Sequence, residues 1–379
     1  MRSAHFRLRT DEKPADARAT LTDLEQLRAA LLTVFGAPVD FDTGRLPVVV
    51  VDRGWTDFAS REVNGFFTRA LFQPLVVMAA TSALYQQDLI KHELVHFLSS
   101  KVTTRQPPWM AEGLASYYET IEYDTETGRI TVGRPPPALL SQAQRKTSVA
   151  SIEAMFSARA IDQEAPHFYA DAWITIHYLM NHRLSALADY EKALGKGASP
   201  ESAWAAAFGS QTPEQLAAAV HQYLDGGQYA LLVYRLPALA PPAPVERALP
   251  DADIHATRAL LFLTGSGTRA LGPELSLGAD DPRVGAKREL DEVRRAEPGH
   301  VASLAISHWL LDVPVGLEQA TAASRKHGDD WLAWLLLAEA RGRSSDRAGQ
   351  DDALARAAQL AEDDPSVEIP QRRQRPPGD

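Results

Sequence analysis

Residues 91–100, Lys-His-Glu-Leu-Val-His-Phe-Leu-Ser-Ser, admit few structures. Leu89, Ile90, Leu94, Val95, Phe97 and Leu98 surround two histidines, so a helix here is apolar over most of its surface and is expected to be buried. Residues four apart in a helix project from one face. His92 and His96 therefore offer two imidazoles to a single point. Glu93 lies about 100° further round and can reach a water at that point without being a ligand. Two imidazoles in an apolar setting need partners, and a metal supplies them. The pattern is His-Glu-x-x-His: two neutral nitrogens bind zinc and the carboxylate takes a proton from water. The bland alternative is a core helix with incidental histidines.

A catalytic zinc site needs a third protein ligand and an open fourth position. The segment 106–119, Gln-Pro-Pro-Trp-Met-Ala-Glu-Gly-Leu-Ala-Ser-Tyr-Tyr-Glu, supplies a candidate. Pro107 and Pro108 break the chain, a new helix starts near Trp109, and its antiparallel return would carry Glu112 to the histidines. Metal-bound histidines usually donate their other nitrogen to a carboxylate or a carbonyl. Glu119, two turns beyond Glu112, is placed for that role, though it reads equally as a surface glutamate. Tyr117 and Tyr118 read as core packing. His177, His182 and His221 have no partner at metal spacing and are not expected to be ligands.

The rest of the chain predicts an α+β protein. His5–Arg9 alternates like a strand, and Leu21, Leu24, Leu27, Leu31 and Val34 fall on one helical face that Gly36 ends. Residues 46–51 (LPVVVV) and 74–80 (PLVVMAA) read as further strands, and 121–133 as a hairpin. The pattern is helical over about 150–235, proline-rich at 236–253, and helical again over 254–366, where two helix–turn–helix stretches suggest a degenerate repeat. Residues 367–379 read as a disordered tail. With 379 residues, a large core needs no disulfide or metal to hold it. A net charge of −10 argues against a partner held through phosphates, and the absence of cysteine excludes a thiolate zinc site. No apolar run is long enough to span a bilayer. The abrupt opening suits either an exported chain whose leader has been trimmed or a cytoplasmic one, so the compartment stays open.

His-Glu-Leu-Val-His followed by Trp-Met-Ala-Glu-Gly-Leu-Ala-Ser-Tyr-Tyr-Glu resembles the gluzincins, zinc metallopeptidases whose third ligand is a glutamate on the next helix. The closer likeness is to the bacterial peptidase-MA-like proteins, which pair an opening strand with a later helix similar to Tyr-Ala-Asp-Ala-Trp-Ile-Thr-Ile-His-Tyr-Leu. It extends over about residues 3–230. Met110 and Ala111 stand where the aminopeptidase branch has Leu and Asn or Ser. No Gly-x-Met-Glu-Asn segment precedes the helix, so recognition of a free amino terminus does not carry over.

The resemblance implies a thermolysin-like domain over 1–235, with sheet and metal helices in 1–120 and a hairpin and helical lobe in 121–235, joined through 236–253 to a TPR-like domain over 254–366. It implies one zinc per chain on His92, His96 and Glu112, with Glu93 as general base. It also implies a later tyrosine or histidine as oxyanion donor: Tyr169 first, His167 second. Tyr169 reads equally as an amphipathic residue at a helix start. Residues 74–80 are expected to form an edge strand that pairs with an extended peptide. The expected function is hydrolysis of peptide or protein substrates, with the repeats docking a protein partner. The rival from another class is a metallopeptidase-fold scaffold that binds partners without turnover. A chain made only of helical repeats is disfavoured by the strand-like first 80 residues.

Overall fold

The computed structural model describes residues 1–59, 64–80, 88–103, 106–124, 126–157, 167–236, 243–265, 281–362 and 364–370. The protein is mixed α+β. Strand β1 (Phe6–Thr10) leads through helix α1 (Pro14–Val34) to β2 (Leu46–Val51), followed by β3 (Gly65–Ala70) and β4 (Gln73–Ala79). Helices α2 (Asp88–Val102) and α3 (Pro108–Tyr118) come next, then strands β5 (Glu122–Asp124) and β6 (Arg129–Val132). Helices α4 (Pro137–Lys146), α5 (Val149–Ser157), α6 (Phe168–His182), α7 (Leu184–Gly195), α8 (Pro200–Phe208) and α9 (Pro213–Gly226) precede strand β7 (Leu232–Arg235). The C-terminal part holds α10 (Asp251–Thr264), α11 (Pro282–Ala296), α12 (Val301–Ala305) with a π-helical extension, α13 (Leu317–Lys326), α14 (Trp331–Arg343) and α15 (Arg347–Ala361).

These elements form two compact units that interleave along the chain. One unit joins 1–18, 42–81 and 242–379; the other joins 19–41 and 82–241. The division expected from sequence cut the chain once, in the proline-rich stretch, and the observed one differs from it.

In the first unit, β1, β2 and β4 run parallel and β3 pairs antiparallel with β4, in the order β1-β2-β4-β3. The valines of β2 and the apolar run of β4 are buried, as parallel strands covered on both faces require. Helices α10 and α11 cover one side: Ala256, Leu260, Leu261, Leu290 and Val293 join Val49, Val51, Phe66, Leu75 and Val77 in one core. The expectation that 74–80 is an edge strand is wrong. Strand β4 is hydrogen-bonded on both sides, and the edges are β1 and β3.

Part of the proline-rich stretch is also tied down. The backbones of Val245 and Arg2 exchange two hydrogen bonds of 2.9 Å, and α10 already begins at Asp251. The two expected helix–turn–helix stretches appear as α11 with α12 and α14 with α15. Helix α13, not foreseen, lies between them and packs on α14. Residues 237–242 of the linker and 371–379 of the expected tail lie outside the described residues.

In the second unit, the leucine face of α1 is buried as its period predicts. The expected hairpin is β5–β6, and β7 adds to it antiparallel, a strand in a stretch that reads as helical throughout. Helices α2 to α9 make up the remainder, with α3 packed on both α2 and α6.

Candidate metal centre

Helix α2 carries His92, Glu93 and His96, with Ile90, Leu94, Val95 and Leu98 buried around them. Pro107 and Pro108 set the start of α3: Pro107 is extended, and Pro108 occupies the first helical turn, where a missing N–H costs nothing. Trp109, buried, packs edge-on against Phe156 and stacks on Tyr190, which fixes the first turn of α3. Glu112 comes one turn later.

The contact between α3 and α6 is unusually close because residue 113 has no side chain. A Cβ there would stand 2.5 Å from Ile176 Cγ1 and 2.6 Å from the Ala172 carbonyl oxygen. Glycine in a helix normally costs about 1 kcal/mol relative to alanine. Here it lets α6 approach the backbone beside Glu112. The sequence signal was a lone glycine inside a helical pattern, a costly residue there unless packing calls for it.

Three ligand atoms converge. Glu112 Oε2 lies 3.3 Å from His92 Nε2 and 3.3 Å from His96 Nε2, and the two nitrogens are 3.2 Å apart. A tetrahedral zinc ion with bonds of about 2.0–2.1 Å sets its ligand atoms roughly 3.3–3.4 Å apart. The three distances thus form one face of such a tetrahedron, and the donors are the types zinc takes. His92 Nδ1 lies 2.9 Å from Glu119 Oε2. With Nδ1–H donated to that carboxylate, Nε2 is the nitrogen left facing Glu112 and His96.

The electrostatics reflect the same contacts. Burial pulls His92 down, but hydrogen bonds to Glu112 and Glu119 and their charges outweigh it and lift the imidazole from 6.5 to about 9. Burial pushes Glu112 up, and the two histidines more than reverse this, bringing its carboxyl down to about 2. Burial raises Glu93 above the ordinary 4.5, against the charges of His92 and His96. Among the described residues, no hydrogen bond or ion pair engages the Glu93 carboxylate.

Tyr169, in the first turn of α6, is 41% exposed. Burial, then the charges of Glu112 and Glu93, raise its phenol above 10.0, so it lies within electrostatic reach of both carboxylates. His167 caps α6, and its Nδ1 is buried without a partner among the described residues; no hydrogen bond joins it to the triad there.

Tyr117 and Tyr118 are core residues, as expected. His177 is fully buried and engaged elsewhere: Nε2 donates to the Gly133 carbonyl at 2.9 Å and Nδ1 accepts from Tyr223 Oη at 2.9 Å. His182 packs against Tyr178 and Tyr223, and His221 faces Asp225 one turn on.

Comparison with protein-family models finds no match, and comparison with curated proteins finds none either. Among the described residues, His92, His96 and Glu112 are the one group of three or more acidic or histidine side chains with converging ligand atoms. No described helix is long and apolar enough to cross a membrane.

Proposed function

We propose that this chain is a zinc-dependent peptidase of the gluzincin kind, with His92, His96 and Glu112 holding one zinc ion. The observation that carries the reading is the triangle of ligand atoms at 3.2–3.3 Å, with His92 oriented from behind by Glu119. Three protein donors are the number that a catalytic zinc ion would need from the chain.

When bound, the ion would polarise a scissile carbonyl and acidify a water. Glu93 would serve as the base for a water held beside it. Among the described residues its carboxylate is not tied to another side chain, and burial makes it more basic than a surface glutamate. The same group carries the proton across to the leaving amine. Tyr169 donates a hydrogen bond to the carbonyl oxygen as negative charge grows there. We read the paired C-terminal helices as TPR-like and as a platform for a protein partner.

The test is metal content together with turnover. About one zinc per chain is expected in the wild type and in Glu93→Gln, and little in His96→Ala. Cleavage of a mixed peptide library is expected from the wild type and not from Glu93→Gln. Zinc without cleavage would leave the partner-binding scaffold; no zinc would remove both the ion and the hydrolase.

A further inference from the structure

The first unit contains a cavity of its own, of about 610 Å³. It opens at the carboxyl ends of the parallel strands β1 and β2, where Thr10, Asp11, Val51 and Arg53 line it. Ligands of open parallel sheets bind at this end of the strands. The volume also falls within the roughly 300–1,000 Å³ of small-molecule pockets. Much of the wall is apolar, from Leu8, Val49, Phe58, Leu249, Ile254 and Leu261.

Arg9 breaks that apolar surface. Its Nη1 donates to Thr257 Oγ1 at 3.1 Å, and among the described residues that is the guanidinium's sole hydrogen bond. A guanidinium has five N–H donors, and leaving most of them unmade beside apolar walls is costly. Burial already holds Arg9 below the ordinary 12.5. The carboxylate whose charge favours it, Asp253, is shared with His300 at 3.0 Å and Arg247 at 3.5 Å. The site therefore has donors to spare.

We propose that this cavity binds a small amphiphile with one carboxylate, its head on the Arg9 fork and its apolar body between β2 and α10. Arginine and carboxylate pair through two parallel hydrogen bonds, which one guanidinium can supply. Of the other arginines at the cavity, Arg53 faces Asp11, Arg247 faces Asp253 and Arg258 faces Glu289, so among the described residues Arg9 is the one cation left to take a head group. That matches a monoanion better than a phosphate dianion. Thr257 fixes the guanidinium from α10, so the head would join the strand to the helix.

The test is calorimetric titration of the full chain with decanoate, decanol and decyl phosphate below their micellar concentrations. Decanoate should bind about tenfold or more tighter than decanol, because the alcohol leaves the arginine unpaired, and also tighter than decyl phosphate. Arg9→Met should bring the decanoate-to-decanol ratio close to one. Ile254→Trp alters a cavity-lining residue that is 43% exposed, so the fold tolerates it, and it should weaken both ligands several-fold. Zinc content should not change in either variant. Equal binding of decanoate and decanol, no binding of any probe, preference for decyl phosphate, or unchanged affinity in Ile254→Trp each overturns the proposal.

Discussion

Glu119 Oε2 sits 2.9 Å from His92 Nδ1, so a residue outside the His-Glu-x-x-His motif decides which nitrogen of His92 faces the candidate metal site. The carboxylate follows α3 immediately, two turns past Glu112, and helix geometry brings both to the same histidine. Replacing Glu119 with leucine should lower zinc affinity by about 10- to 100-fold, the usual cost of removing such a partner. Glu119→Gln, whose amide oxygen still accepts from Nδ1–H, should lose less. Competition with a chelator measures both, and equal affinities across the three proteins would remove Glu119 from the site.

Zinc uptake should release a proton. In the metal-free protein His92, held at about 9 by Glu112 and Glu119, carries a proton at pH 7 that the ion must displace. Calorimetry in buffers of different ionisation enthalpy should give about one proton released per zinc near pH 7. The apparent affinity should weaken as pH falls. Release of none would contradict the protonation described for His92.

Tyr169→Phe should reduce kcat for peptide cleavage by about 100-fold, within the range for loss of one oxyanion donor, with KM little changed. The residue is 41% exposed, so thermal stability should stay close to wild type. A variant of full activity would pass the role to another donor, His167 being the residue next in line.

Gly113→Ala should separate α3 from α6. The added methyl meets the Ala172 carbonyl oxygen, which is backbone and cannot rotate away. Overpacking of this kind costs about 1–3 kcal/mol. Both the melting temperature and the zinc affinity should fall, since Glu112 is the neighbouring residue. Scanning calorimetry with metal titration separates the two effects.

Glu191, which is not one of the candidate ligands, supplies a second pH effect. Burial raises its carboxyl from 4.5 to about 7. The folded protein therefore keeps a proton that the unfolded chain has already lost, and stability falls as pH rises from about 4.5 to 7. Glu191→Gln removes this loss. Allowing for solvent screening of a half-buried group, the variant should gain on the order of 1 kcal/mol, or roughly 2 °C, at pH 8 and almost nothing at pH 4. Melting curves at the two pH values decide it.

The convergence of His92, His96 and Glu112 was legible because its pattern is written locally: a four-residue spacing, a double proline, then a glutamate on the next helix. Strands β1, β2 and β4 were legible from alternating or continuous apolar runs. Strand β3 was not. It joins β4 through Leu71 and Phe72, both with positive φ, a turn that normally calls for Asn-Gly. Phe72 instead packs edge-on against Trp309, 4.9 Å between ring centres, and Leu71 is held among the C-terminal helices. Tertiary packing bears that strain, and no local pattern announces it. Strand β7 escaped for a different reason: four residues at a sheet edge carry too short an alternation to stand out after a run of helices. The edge expectation for β4 came from the resemblance, and it failed because β3 pairs along that side of the strand.

The interleaving of the units bears on how the protein can be dissected. A fragment ended near 241 keeps all four strands of the main sheet yet discards α10 and α11. Val49, Val51, Phe66, Leu75 and Val77 would then meet water, and the fragment would be sticky however intact its histidines. An excised 242–379 piece would lack the strands on which its first two helices rest. Expression trials guided by the proline-rich stretch would meet insolubility on both sides of the cut, and the gene is better kept whole.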